Sequence, residues 1–120
     1  MMSNAARQRG CEGAVIDGGV RDLDFIDAMG YPVFANFACA ASSVGRWNIE
    51  EYEVPVRIGG TVIHPGDFVL GDADGVVVPG ALTVAVLEAA EDICTRERGM
   101  REELRRGVTV QEAFAKYGSL

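Results

Sequence analysis

The pattern of apolar and polar positions changes period twice in the first third of the chain. "GAVIDG", Gly13 to Gly18, is a short, almost unbroken apolar run bounded by glycines, which predicts a strand covered on both faces. "RDLDFIDAMG" follows with Leu23, Phe25, Ile26 and Met29 at helical spacing and Gly30 as the stop; "YPVFANFA" then reads as a second strand. Strand, helix and strand in this order predict a βαβ unit with a right-handed crossover. Ahead of it, "MSNAARQRG" reads as the last turns of a helix ended by Gly10.

The middle of the chain is built differently. "VPVRIGGTVIHPGDFVLGDADGVVVP" holds short β runs separated by Gly59-Gly60, Pro65-Gly66-Asp67 and Asp72-Ala73-Asp74-Gly75. Gly-Gly suits a two-residue hairpin turn, Pro-Gly a type II turn and Asp-Gly another tight reversal. The acids here are expected as turn formers. "DADG" does not continue into a calcium loop, because no Glu arrives where such a loop ends. From Leu82 the period is helical, with Leu82, Val86, Ala89, Ile93, Met100 and Leu104 along one face, and Gly99 is expected to weaken or break the helix. A last helix is expected at Thr109, where Thr109 and Glu112 form a capping-box pair. The prediction is an α/β fold with a mixed sheet in one domain covering residues 1 to 120.

Composition narrows the function classes. The net charge is −7 and the basic residues are scattered, which disfavours a direct nucleic-acid partner. The apolar runs contain Pro and Gly and are too short to span a membrane, so a cytoplasmic location without membrane attachment is expected. Cys11, Cys39 and Cys94 lie far apart and read as reduced thiols. Ten of the eleven basic residues are Arg, and the one lysine, Lys116, sits near the C-terminus. Schiff-base chemistry needs a desolvated lysine, so carbonyl chemistry in this chain would call for a metal.

The candidate site follows from "GGVRD". A strand ending at Gly18-Gly19 before a helix would present open backbone N–H groups at the carboxyl edge of a sheet. Arg21 adds a planar fork suited to a carboxylate, and Asp22 a hard oxygen ligand of the kind Mg²⁺ takes singly while keeping its waters. Together they could hold a 2-oxo acid chelating a metal. The alternative reading is that Asp22 caps the next helix and Arg21 is an ordinary surface partner. His64, in the "HPGD" turn, reads as a surface turn residue.

The stretches "GAVIDGGVRD", "PVFA", "GR", "VPVRIGGTVIHPGDFVLGDADGVVVP" and "RERGMREELRRGVTVQEAFAKYG" resemble the RraA family, which includes 4-hydroxy-4-methyl-2-oxoglutarate aldolases and ribonuclease regulators. The resemblance covers nearly all of residues 5 to 118. It implies an α/β sandwich of the swivelling β/β/α type, assembled as trimers or hexamers. In its aldolases an Arg binds substrate and the following Asp holds Mg²⁺, Mn²⁺ or another divalent cation, which match Arg21 and Asp22. Gly18 and Gly19 match the loop beside the site and Arg46 the family's Gly-Arg. Glu97 is the nearest match to a Glu that a neighbouring subunit brings towards the metal's waters.

The implied activity is metal-dependent cleavage of 4-carboxy-4-hydroxy-2-oxo acids to pyruvate, with oxaloacetate decarboxylation beside it. The alternatives are a non-catalytic regulator that binds a ribonuclease or other protein, or an inactive fragment. The aldolase signature's upstream Asp falls before Met1, and Phe25 stands where the regulators carry an acid three places after the Arg-Asp pair. The resemblance further implies that the chain is the C-terminal portion of the domain, N-terminally truncated. Open strand edges and exposed core are therefore expected.

Overall fold

The structure is a computed structural model that describes residues 1–80 and 82–118. The chain divides into two compact units, Met1–Pro79 and Gly80–Leu120. The first carries α1 (Met2–Gln8), β1 (Ala14–Val20), α2 (Leu23–Ala28), β2 (Val33–Ala38), β3 (Val56–Ile58), β4 (Thr61–Ile63), β5 (Leu70–Gly71) and β6 (Val76–Val77); the second carries α3 (Val84–Arg105) and α4 (Val110–Tyr117). The fold class is α/β. Parallel and antiparallel pairing both occur, in three two-stranded sheets: β1–β2 parallel, β3–β4 and β5–β6 antiparallel.

The βαβ unit forms as the periodicity predicts, with one correction. β1 does not end at Gly18-Gly19 but runs on to Val20. Its register on β2 goes from Ile16 opposite Ala35 to Gly19 opposite Phe37, so Asp17 and Gly18 together face Asn36, and the extra residue makes a bulge. Asn36 Nδ2 donates to Asp17 Oδ1 at 2.7 Å across it. Glycine is required next to the bulge because a Cβ on Gly19 would lie 2.6 Å from Phe37 Cε2 and 2.7 Å from Cys39 Cβ. Gly19 therefore serves strand packing, while a Cβ on Gly18 would meet only Ile16 Cγ2 at 3.8 Å.

At the turns, local chemistry decides the conformation. Gly59 and Gly60 both have positive φ, at 54° and 85°, as a two-residue hairpin turn of the primed type requires. Gly66 has φ 93°, and Asp67 N donates to His64 O at 3.1 Å, closing the Pro-Gly turn; Asp67 Oδ2 also accepts from His64 N at 2.7 Å. In the next reversal Asp74 N donates to Asp72 Oδ1 at 2.9 Å, an Asx turn. These acids act as turn formers.

In the second unit α3 is continuous over 22 residues, so Gly99 does not break it. A Cβ at Gly99 would lie 2.6 Å from Tyr117 Cε1, so the glycine is the seat for the α4 tyrosine. Helix α3 starts at Val84 rather than Leu82, because Thr83 takes the N-cap position and its hydroxyl accepts from Val86 N at 3.3 Å. The Thr109 and Glu112 capping box of α4 is present in both directions.

Buried apolar side chains are few. Among the described residues only Ile26, Tyr31, Met100 and Ala113 fall in the buried class, while Phe25, Phe37, Trp47, Phe68 and Leu70 are exposed. On the predicted α3 face Met100 is buried, but Val86, Ile93 and Leu104 stay open.

Candidate active site at the end of the parallel strands

Arg21 and Asp22 form the two-residue link between β1 and α2. They line a cleft of roughly 540 Å³ whose walls are residues 20–25 and 38–40. Parallel pairing explains this grouping: Val20 lies opposite Ala38, and Cys39 N donates to Val20 O at 2.8 Å, so both strands end at the same place. Asp24, Phe25 and Cys39 belong to the cleft, and motif reading missed them. The signal was available in the parallel register, which sets the residues after β2 beside those after β1.

Asp22 adopts a left-handed conformation, φ 63° and ψ 40°, and its side chain caps nothing. Its carbonyl accepts from Phe25 N and Ile26 N, both at 3.1 Å, so its backbone starts the helix while its carboxylate turns elsewhere. An ordinary N-cap has extended backbone and a side-chain oxygen on the helix amides. The capping alternative for Asp22 is therefore excluded in this geometry. A left-handed aspartate costs on the order of 1 kcal/mol, and such strain concentrates at functional sites.

The carboxylate faces one partner. Arg21 Nε lies 3.3 Å from Asp22 Oδ1, with the two side chains 52% and 44% exposed, so the pair is weak and solvent-screened. Among the described residues no hydrogen bond reaches Asp22 Oδ2. One hard, accessible carboxylate oxygen with room for waters fits Mg²⁺ or Mn²⁺, although no cluster of three or more His, Cys, Asp or Glu occurs among the described residues. Asp24, in the first turn of α2, adds a second negative charge to the cleft.

The other predicted residues are placed as follows. Gly18 and Gly19 lie within β1 and are not part of the cleft wall. Glu97 lies in the second unit, on α3, and pairs with Arg101 at 3.1 Å. Arg46 is exposed and forms no ion pair among the described residues. His64 is exposed beside Asp67, Nδ1 to Oδ2 3.6 Å, as a turn residue. Lys116 donates to Glu103, and that contact holds its ammonium above the usual lysine range, which disfavours a nucleophilic amine there. The cysteines are free thiols.

The model of the family described as RraA-like, Aldolase/RraA, matches residues 1–78. The chain belongs to this family. An uncharacterized protein of Methanocaldococcus jannaschii is 38% identical over 111 residues, covering 91% of this chain and 52% of the relative. A Halalkalibacterium halodurans protein provisionally named 4-hydroxy-4-methyl-2-oxoglutarate aldolase is 36% identical over 104 residues, covering 82% of this chain and 49% of its own. The crystal structure of an uncharacterized protein from Pseudomonas syringae pv. tomato superposes with a TM-score of 0.83 at 34% identity, over 93% of this chain and 56% of that one. The RraA-like chain thus spans about half the length of the curated relatives it matches. No described helix is long and apolar enough to cross a membrane.

Proposed function

We propose that this RraA-like chain carries the Arg-Asp part of a divalent-metal-dependent aldolase site. The substrates are 2-oxo acids of the 4-hydroxy-4-methyl-2-oxoglutarate type, cleaved to pyruvate, with oxaloacetate decarboxylation as a side activity. The observation that carries the reading is Asp22: strained, uncapping, and presenting its carboxylate beside an arginine in a cleft. Relatives with aldolase names support the substrate class.

In this reading Arg21 swings from Asp22 to grip the substrate carboxylate, its fork matching two oxygens at once. Asp22 would be the residue that holds Mg²⁺ or Mn²⁺, a hard cation that carboxylates suit. The ion, when bound, supplies Lewis-acid stabilisation of the charge that develops on the keto oxygen as the carbon–carbon bond breaks. Gly18 and Gly19 shape the strand end behind the site. Glu97 approaches from a neighbouring subunit of a homotrimer or hexamer and works in the cytoplasm alongside the same site.

Calorimetric titration of Mn²⁺ into the chain, with Asp22→Asn in parallel, tests the assignment. Asparagine tolerates the left-handed backbone and removes the charge, so metal binding is lost while the fold persists. Equal Mn²⁺ binding by both proteins overturns it. Where oxaloacetate decarboxylation is measurable, Asp22→Asn lowers it by about 100-fold or more and EDTA abolishes it.

A further inference from the structure

The cleft beside Arg21 and Asp22 carries its charges and its apolar surface on different residues. Arg21 is the one cation among the described residues of its wall, while Asp22 and Asp24 supply two carboxylates. Phe25 belongs to the same wall and is 77% exposed. Its place on α2 explains the exposure. Ile26, the next residue, is the buried residue of the helix, and a step of one residue turns a side chain about 100° round the axis, away from that packed face. Phe25 N donates to Asp22 O at 3.1 Å, so the first turn of α2 fixes the phenylalanine relative to the aspartate. The ring packs little of the protein's own interior and leaves its apolar surface to whatever enters the cleft.

We infer that Phe25 is a specificity-determining residue: it selects 2-oxo acids whose fourth carbon carries an apolar branch, while Asp24 disfavours those that place a second carboxylate there. The inference rests on the 2-oxo acid reading of the cleft and adds which end group that cleft prefers. The fork of Arg21 matches one carboxylate. A second carboxylate at the far end finds no further cation among the described wall residues, meets the like charge of Asp24, and is repelled by the negative face of the phenylalanine ring. An alkyl group in that position instead removes ring surface from water. On a substrate with both a methyl group and a carboxylate at the fourth carbon, the methyl group lies against Phe25 and the carboxylate points out to solvent.

Two acids separate the end groups: 4-methyl-2-oxopentanoate, branched and apolar at the fourth carbon, and 2-oxoglutarate, which carries a carboxylate there. Neither has the fourth-carbon hydroxyl that carbon–carbon cleavage needs, so binding is read without turnover. Each is titrated by calorimetry into the 120-residue chain with Mn²⁺ present. The expected result is about ten-fold tighter binding of 4-methyl-2-oxopentanoate, the lower end of what one apolar group contributes in a pocket. Phe25→Ala brings the two affinities together with Mn²⁺ binding unchanged, and Phe25→Leu keeps most of the difference. Asp24→Asn strengthens 2-oxoglutarate alone by roughly three-fold, as for an exposed charge pair. Equal or tighter binding of 2-oxoglutarate by the unaltered chain overturns the inference and leaves the 2-oxo acid reading standing, and so does a preference that survives Phe25→Ala. Binding of neither acid overturns the 2-oxo acid reading itself, and the inference with it.

Discussion

The α3–α4 pair and the β1–α2–β2 segment show opposite ways of using the same few residues. In α3–α4 the devices close locally: Thr109 and Glu112 cap each other, Lys116 reaches Glu103, and Tyr117 lies on Gly99. Around the candidate site the devices stay open. Asp22 is strained without a cap, Phe25 is 77% exposed, and the sheet stops at two strands. Helical hairpins satisfy themselves over a dozen residues, whereas parallel strands depend on distant partners.

The largest effect on this contrast is expected from Gly19→Val. Its side chain would collide with Phe37 and Cys39, and overpacking of this kind costs about 1–3 kcal/mol. Hydrogen exchange should show β1 and β2 opening while α3 and α4 exchange as before. If α3 and α4 change equally, the two regions are not energetically distinct.

Gly99→Ala sharpens the comparison through its sign. Helix propensity alone predicts a gain of about 1 kcal/mol. The contact with Tyr117 predicts a net loss of roughly 1–2 kcal/mol, because the ring must leave its seat on α3. A rise in the thermal midpoint of the helical unit would show that Tyr117 contributes nothing there.

Thr109→Ala removes the cap hydroxyl of α4 and should cost about 1 kcal/mol, read as weaker protection of α4 amides. Thr109→Ser should restore most of it. A cap that serves only as a surface turn would leave both variants alike.

The smallest effect is that of pH. The hydrogen bond from Lys116, then its charge, lowers the Glu103 pKa from its ordinary 4.5; the same contact raises that of Lys116 from 10.5. The carboxylate's contribution is present above 4.5 and fades as pH falls through its depressed folded value. The ammonium's is complete below 10.5 and fades as pH rises through its raised one. α4 protection should thus be flat across neutral pH and fall at both extremes; Glu103→Gln should remove the fall at high pH and reduce the one at low pH, where Glu112, which Thr109 holds below its ordinary range, still acts. An unchanged fall at high pH in that variant would show that the Lys116–Glu103 contact does not support α4.

How legible was this protein? Strand, helix and turn identities came from short-range signals, because a positive φ at Gly59-Gly60, an Asx turn at Asp72 or a capping box at Thr109 is fixed by residues within a few positions of each other. The Arg21-Asp22 pair was visible in the same way, as adjacent residues before a helix. Its company was not. Asp24 can be placed on a helix from sequence, but its sharing a cleft with Cys39 requires knowing that β1 and β2 end side by side. The readings that failed, a strand ending at Gly18-Gly19 and a break of the helix at Gly99, judged glycine by backbone propensity. Phe37 and Tyr117 gave Gly19 and Gly99 their roles, and a partner on another element leaves no mark beside the residue it packs on. Sequence alone therefore determined the turns and caps that close within a few residues, and brought out Arg21 and Asp22 as candidates. Only the tertiary structure showed that Asp22 has a left-handed backbone and a side chain that caps nothing, because both depend on how β1 hands over to α2.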